Sequence, residues 1–164
     1  MLSTNKVITV VAAVLAIAAI VTASWGQARK NSDPQDIETA ILARLAEIQN
    51  AAQALDPDKV FSFVLENNKG ALVQNGKLLL TRGEALESTR QGFQRLQKVV
   101  YHMDQQHVTV IDPTVALVTG EGSSSATTDD GKTISGRFAQ SVVFVLTNGE
   151  WKVLHAHRSF PPTQ

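Results

Sequence analysis

His155 and His157 stand two residues apart near the end of the chain, a spacing that places both imidazoles on one face if the segment is extended. His102 and Asp104 repeat that alternation, and Glu121 lies between the two pairs. Such groups allow three kinds of chemistry. In the first, Asp104 or His157 removes a proton and a neighbouring imidazole, His102 among the candidates, returns it. In the second, His155 and His157 with His102, Asp104 or Glu121 ligate a metal, but one histidine pair is a weak metal signature and no metal site is expected. The third is a hydrogen-bonded pocket lining of Gln106, Thr119, Glu121, Gln140, Val142, His155 and His157 around a small molecule. Binding without turnover is the expected function. The alternatives are an isomerase or dehydratase using Asp104 and histidines as general acid and base, and an oligomerisation module without a ligand.

The elements that must position these residues can be read from periodicity and turn chemistry. Asp33-Pro34 is a helix start, and Ile37, Ile41, Leu45, Ile48, Ala52 and Leu55 follow at helical spacing. Asp56-Pro57 opens a short second helix, and Thr81 to Glu84 has the spacing of a capping box before a third. Asn75-Gly76 between Ala71–Val73 and Lys77–Leu80 predicts a small hairpin. From residue 99 onward the period is two, with strands expected at 99–111, 114–127, 133–147 and 150–160, divided by Asp112-Pro113, Asp130-Gly131 and Asn148-Gly149. Three helices packed on a curved antiparallel sheet make an α+β domain, a cone-shaped half-barrel.

Treating the last three dividers as two-residue turns fixes the faces. Phe138, Gln140, Val142, Phe144 and Leu146 then share a side with Trp151, Val153, His155, His157 and Ser159. Val115, Leu117, Thr119, Glu121 and Ser123 join it, as do His102, Asp104, Gln106, Val108 and Val110. One end of this face is apolar and serves as core; the other holds too many polar groups to bury without partners or water, and predicts an open cavity. The opposite face would carry Tyr101, Met103, Ile111, Val118, Val143, Val145, Leu154 and Ala156, apolar enough to predict a homodimer through the sheet. Gly120 and Gly122 are expected to bend their strand or mark a bulge, and Gly120 to Ser125 is a strand rather than a phosphate loop, since it lacks the lysine and following helix.

Residues 7–23 are almost wholly apolar, follow the lone cation Lys6 and precede a small-residue flank at Gly26 to Ala28. An export signal over 1–28 is expected, with a linker at 29–35, the domain at 36–160 and a tail at 161–164, in a protein that is periplasmic or secreted. The alternative is an uncleaved anchor, the one way the protein would touch a membrane. No cysteine is present, so disulfides and lipid attachment through cysteine are excluded. Of the 15 basic residues only Lys6 falls in the leader, leaving 14 against 15 acidic ones. A near-neutral domain has no basic stripe for nucleic acid, and no cofactor motif is present.

The order of helices, the Lys77 to Glu84 segment and the closing Asn148 to Ser159 stretch resemble SnoaL-like, ketosteroid isomerase-like proteins of the nuclear transport factor two superfamily. The closing segment is also similar to the association domain of calcium/calmodulin-dependent protein kinase type II. The resemblance implies a cone-shaped α+β barrel, a pocket between helices and sheet, and dimers through the sheet. Members include isomerases, dehydratases, cyclases and proteins that only bind or assemble. The kinase domain lines its pocket with arginines; Arg158 matches one such position, while Thr119 and Val142 stand at two others. On the register above Arg158 faces outward unless a bulge near His157 turns it in. Tyr101, also read as outward, leaves no counterpart for the isomerase tyrosine.

Overall fold

The computed structural model describes residues 33–66 and 69–161. The expected export signal at 1–28, most of the expected linker at 29–35 and the end of the expected tail lie outside these residues. Helix α1 (Pro34–Gln53) starts at the proline after Asp33 and buries Ile37, Ile41 and Leu45. Helix α2 (Pro57–Ser62) is capped by the Asp56 carboxylate, which accepts from the Lys59 backbone N–H at 2.8 Å. Helix α3 (Arg82–Phe93) carries the full capping box: Thr81 Oγ1 accepts from the Glu84 N–H, and Glu84 Oε2 accepts from the Thr81 N–H.

Six strands follow the order β2-β1-β6-β5-β4-β3: β1 (Leu72–Gln74), β2 (Lys77–Leu79), β3 (Leu96–Asp112), β4 (Val115–Thr128), β5 (Thr133–Thr147) and β6 (Glu150–Ser159). The small hairpin therefore joins the meander, with β1 running parallel to β6 and every other pair antiparallel. Asn75-Gly76 and Asn148-Gly149 are both left-handed, as two-residue hairpin turns require. The main core joins Ile37, Ile41 and Leu45 of α1 to Ala116, Val118, Val142, Phe144, Trp151 and Val153 of the sheet. Burial of such side chains contributes about 1.5–3 kcal/mol each, so this contact holds the helix against the sheet.

Three local irregularities move residues off the expected faces. The β4–β5 connection is a three-residue loop, Asp129-Asp130-Gly131, closed by Thr128 N–H to the Lys132 carbonyl at 2.9 Å, with Gly131 in the left-handed conformation. Thr127 thus faces Thr133, one place off a two-residue turn, and all of β4 turns over. Val118 comes inward and is fully buried, whereas Val115, Leu117, Thr119 and Glu121 go to the outer face. The β3–β4 turn, Pro113-Thr114 between Asp112 and Val115, together with an irregularity at Ile111, shifts β3 by a compensating step. Val108, Val110 and Gln106 consequently still face inward.

A bulge at Asp104 is the second irregularity. Beyond it Met103, Tyr101 and Val99 point inward and His102 and Asp104 point out. The glycines permit this close approach: a Cβ at Gly122 would collide with the His102 carbonyl oxygen, and one at Gly120 would lie 2.8 Å from the Gln105 carbonyl oxygen. The third is a bulge at Leu154. It sits where the neighbour of β6 changes: Val153 exchanges hydrogen bonds with Phe63 and Leu65, whereas the Ala156 N–H donates to the Ala71 carbonyl just before β1. Past that bulge Ala156 and Arg158 face inward, and His155, His157 and Ser159 face out.

Candidate ligand cavity

Between helices and sheet lies a cavity of about 550 Å³. Helix α1 contributes Leu45, Ile48 and Ala52, α2 contributes Val60 and Phe61, α3 contributes Phe93, and the sheet adds Val99, Val142 and Val153. The amphipathic helices that form the core thus also form the apolar walls. Across its sheet side runs a single row of residues, one from each strand in spatial order: Lys77, Gln74, Arg158, Gln140, Gly120 and Gln106. The neighbouring row, Leu72, Ala156, Val142, Val118 and Val108, is wholly apolar. Two cations and three carboxamides therefore form a polar belt at one level of an apolar cone. No aspartate or glutamate is among the described residues that line the cavity.

Arg158 is the half-buried centre of the belt. Its Nη2 donates to Gln140 Oε1 at 2.8 Å, and its guanidinium lies 4.6 Å from the Phe138 ring centre and 5.1 Å from that of Tyr101. The two rings are edge-to-face at 6.1 Å, and Phe160 packs on Phe138 at 6.5 Å. Tyr101 is in turn fixed by α1: its N–H donates to Gln53 Oε1 at 3.0 Å and its carbonyl accepts from Gln49 Nε2 at 3.1 Å. Among the described residues no carboxylate lies within salt-bridge distance of Arg158.

Of the expected pocket residues, the cavity keeps Gln106, Gln140 and Val142. Asp104 instead pairs with Arg137 at 2.8 Å on the outer surface and lies 3.4 Å from His102, which is exposed. Thr119, Glu121 and His157 line an outer-face groove of about 460 Å³ with His107 and Ser141. His157 also borders the inner cavity, but its register with Ser141 puts the imidazole outside. His155, opposite Val143 on the outer side of β6, donates Nδ1–H to the Gly70 carbonyl at 2.9 Å. Among the described residues no group of three histidines or carboxylates could hold a metal ion.

The important residues missing from the expected set are Arg158, Tyr101, Gln74 and Lys77. The glycines opposite Asp104 were the available signal for Tyr101; nothing in Val153 to Ala156 marks the bulge that brings in Arg158, since no glycine or proline stands there.

The family profile of the SnoaL-like domain matches residues 41–163. In structure the chain is similar to a nuclear transport factor 2 superfamily protein from Salmonella enterica, with a TM-score of 0.73 at 15% identity over 80% of this chain and 95% of that one. A protein assigned as a dehydratase of the same family from Streptomyces avermitilis gives 0.71 at 20% identity, over 80% and 100% of the two chains. One assigned as a calcium/calmodulin-dependent protein kinase II association domain from Xanthomonas campestris gives 0.64 at 15%, over 82% and 91%. No curated protein matches the sequence significantly. At these identities the structural likeness shows the fold, a cone of helices on a curved sheet. With the profile covering most of the chain and the cone fold in place, the protein belongs to the SnoaL-like family.

Proposed function

We propose that this SnoaL-like protein binds a small, largely apolar molecule in its cone cavity and does not transform it. The observation that carries this reading is the lining itself: a cavity of ligand size whose described side chains include no carboxylate, while every histidine imidazole points elsewhere. Among the described residues, neither a carboxylate nor an imidazole is therefore aimed at the place where a substrate would sit. Titration with the uncharged fluorophore N-phenyl-1-naphthylamine tests it. Saturable one-to-one binding is expected, reduced at least about tenfold by Ala52→Phe, which fills the cavity from α1. No binding, or binding that Ala52→Phe leaves unchanged, would contradict it.

A homodimer through the outer face is part of the same proposal. Val115, Leu117, Val143 and Val145 form a half-buried apolar patch there, beside the groove at His157. Val143→Lys should sediment as monomer where the wild type sediments as dimer, and a monomeric wild type at tens of micromolar would end the idea. Export is proposed from the apolar 7–23 segment and its small-residue flank. Intact-mass measurement of the exported protein should give a chain starting near Arg29.

A further inference from the structure

We infer that the molecule bound in the cavity is an organic anion, a carboxylate on an apolar body, held by its head at the belt of Arg158, Gln74 and Lys77. This rests on the binding reading above and adds the chemical class of the ligand.

Three features of the cavity point to a carboxylate. Arg158 is half-buried with no carboxylate of the described residues within salt-bridge distance, an arrangement that costs free energy until an anion supplies the charge. Tyr101 and Phe138 approach the guanidinium within 5.1 Å and 4.6 Å, and Gln140 takes one Nη2 hydrogen bond. What remains is the planar N–H edge, which matches the two oxygens of a carboxylate better than a rounder or uncharged group. Gln74, paired with Arg158 across β1 and β6, offers a carboxamide donor on one side, and Lys77, paired with Gln74 across β1 and β2, brings a second cation about 10 Å away at two strand spacings.

The absence of Asp and Glu from the described lining removes the repulsion an anion would otherwise meet. Beyond the belt the walls are mainly aliphatic and aromatic, with Gln49, Ser88, Thr89 and Ser124 as uncharged exceptions, so the body of the ligand gains mostly apolar contacts. A dianion with charges at both ends would leave one of them facing Val64, Val142 and Val153. One head and one apolar body is the composition that satisfies both parts of the cavity.

Calorimetry with decanoate and decan-1-ol, which share a tail and differ in the charge of the head, tests the inference. Decanoate should bind the wild type about tenfold or more tightly than the alcohol, and its affinity should fall as salt rises while that of the alcohol does not. Arg158→Gln should bring the two ligands within about twofold of each other, and Arg158→Lys should retain part of the preference. The salt series on the wild type reads the same charge without a mutation, should Arg158→Gln fail to fold. Equal affinities in the wild type, or a preference that survives both salt and Arg158→Gln, overturns the anion assignment with the cavity reading intact. Exclusion of both amphiphiles and of N-phenyl-1-naphthylamine overturns the cavity reading itself.

Discussion

On the inner face of the sheet the belt from Lys77 to Gln106 holds two cations and no carboxylate, whereas on the outer face Asp104 and Glu121 surround Arg137 at 2.8 and 3.7 Å and satisfy it. The two arginines are separated by which way a strand turns, yet among the described residues one meets carboxylates and the other meets none. Charge that is already paired on an exposed surface contributes little to either stability or recognition. Charge without a partner in an apolar cavity is where binding free energy can be found. The difference teaches that register, more than composition, decides which polar residues have chemistry available to them.

The strongest way to break this contrast is to place one charge on either side of β4. Val118→Lys puts an ammonium among fully buried side chains and should cost several kcal/mol, enough to prevent folding or lower Tm steeply. Thr119→Lys, one residue on, adds a solvated charge and should shift Tm by a few degrees at most. Reversed outcomes would mean that β4 faces the other way.

A smaller effect is expected at the glycines that let the Asp104 bulge fold back. Gly122→Ala should destabilise by about 1–3 kcal/mol because its methyl meets the His102 carbonyl. At Gly136 an added methyl meets nothing within 4 Å, so Gly136→Ala should change stability by about 0.5 kcal/mol or less. Chemical denaturation of the pair measures the difference.

Asp104→Asn sharpens the comparison further, since it removes outer-face charge while leaving the cavity alone. Stability should change by about 1 kcal/mol or less, and fluorophore affinity by no more than about twofold. A large loss of binding would return Asp104 to the site. The least effect belongs to Asp112, whose carboxylate is held below its usual range by the backbone N–H and hydroxyl of Thr114. A depressed pKa stabilises above the unfolded-state value, and that contribution is lost as pH falls through the folded-state value. Asp112→Asn should therefore lower Tm slightly near neutrality, with the gap closing in acid.

Element types were legible because each rests on local chemistry: Asp56-Pro57, the Thr81 to Glu84 box, and two Asn-Gly turns all behave as their residues dictate. The cone fold followed from those elements. Side-chain direction was less accessible, because it accumulates errors along a strand. Asp130-Gly131 suits a two-residue or a three-residue loop equally, and the choice carried Thr119 and Glu121 to the other side. The Leu154 bulge depends on which segment lies beside β6, a tertiary fact with no local trace in Val153 to Ala156. Gln106, Gln140 and Val142 kept their places because no uncompensated irregularity lies between them and the apolar rows that anchor the register.

A crystal structure of the protein grown with decanoate addresses inner and outer faces at once. The carboxylate should lie within hydrogen-bond distance of the Arg158 guanidinium beside Gln74, with the tail against Leu45, Ile48 and Val64. Decanoate seated instead in the outer groove by Thr119 and His157, with the inner cavity holding none, would contradict the assignment of the belt as the binding site.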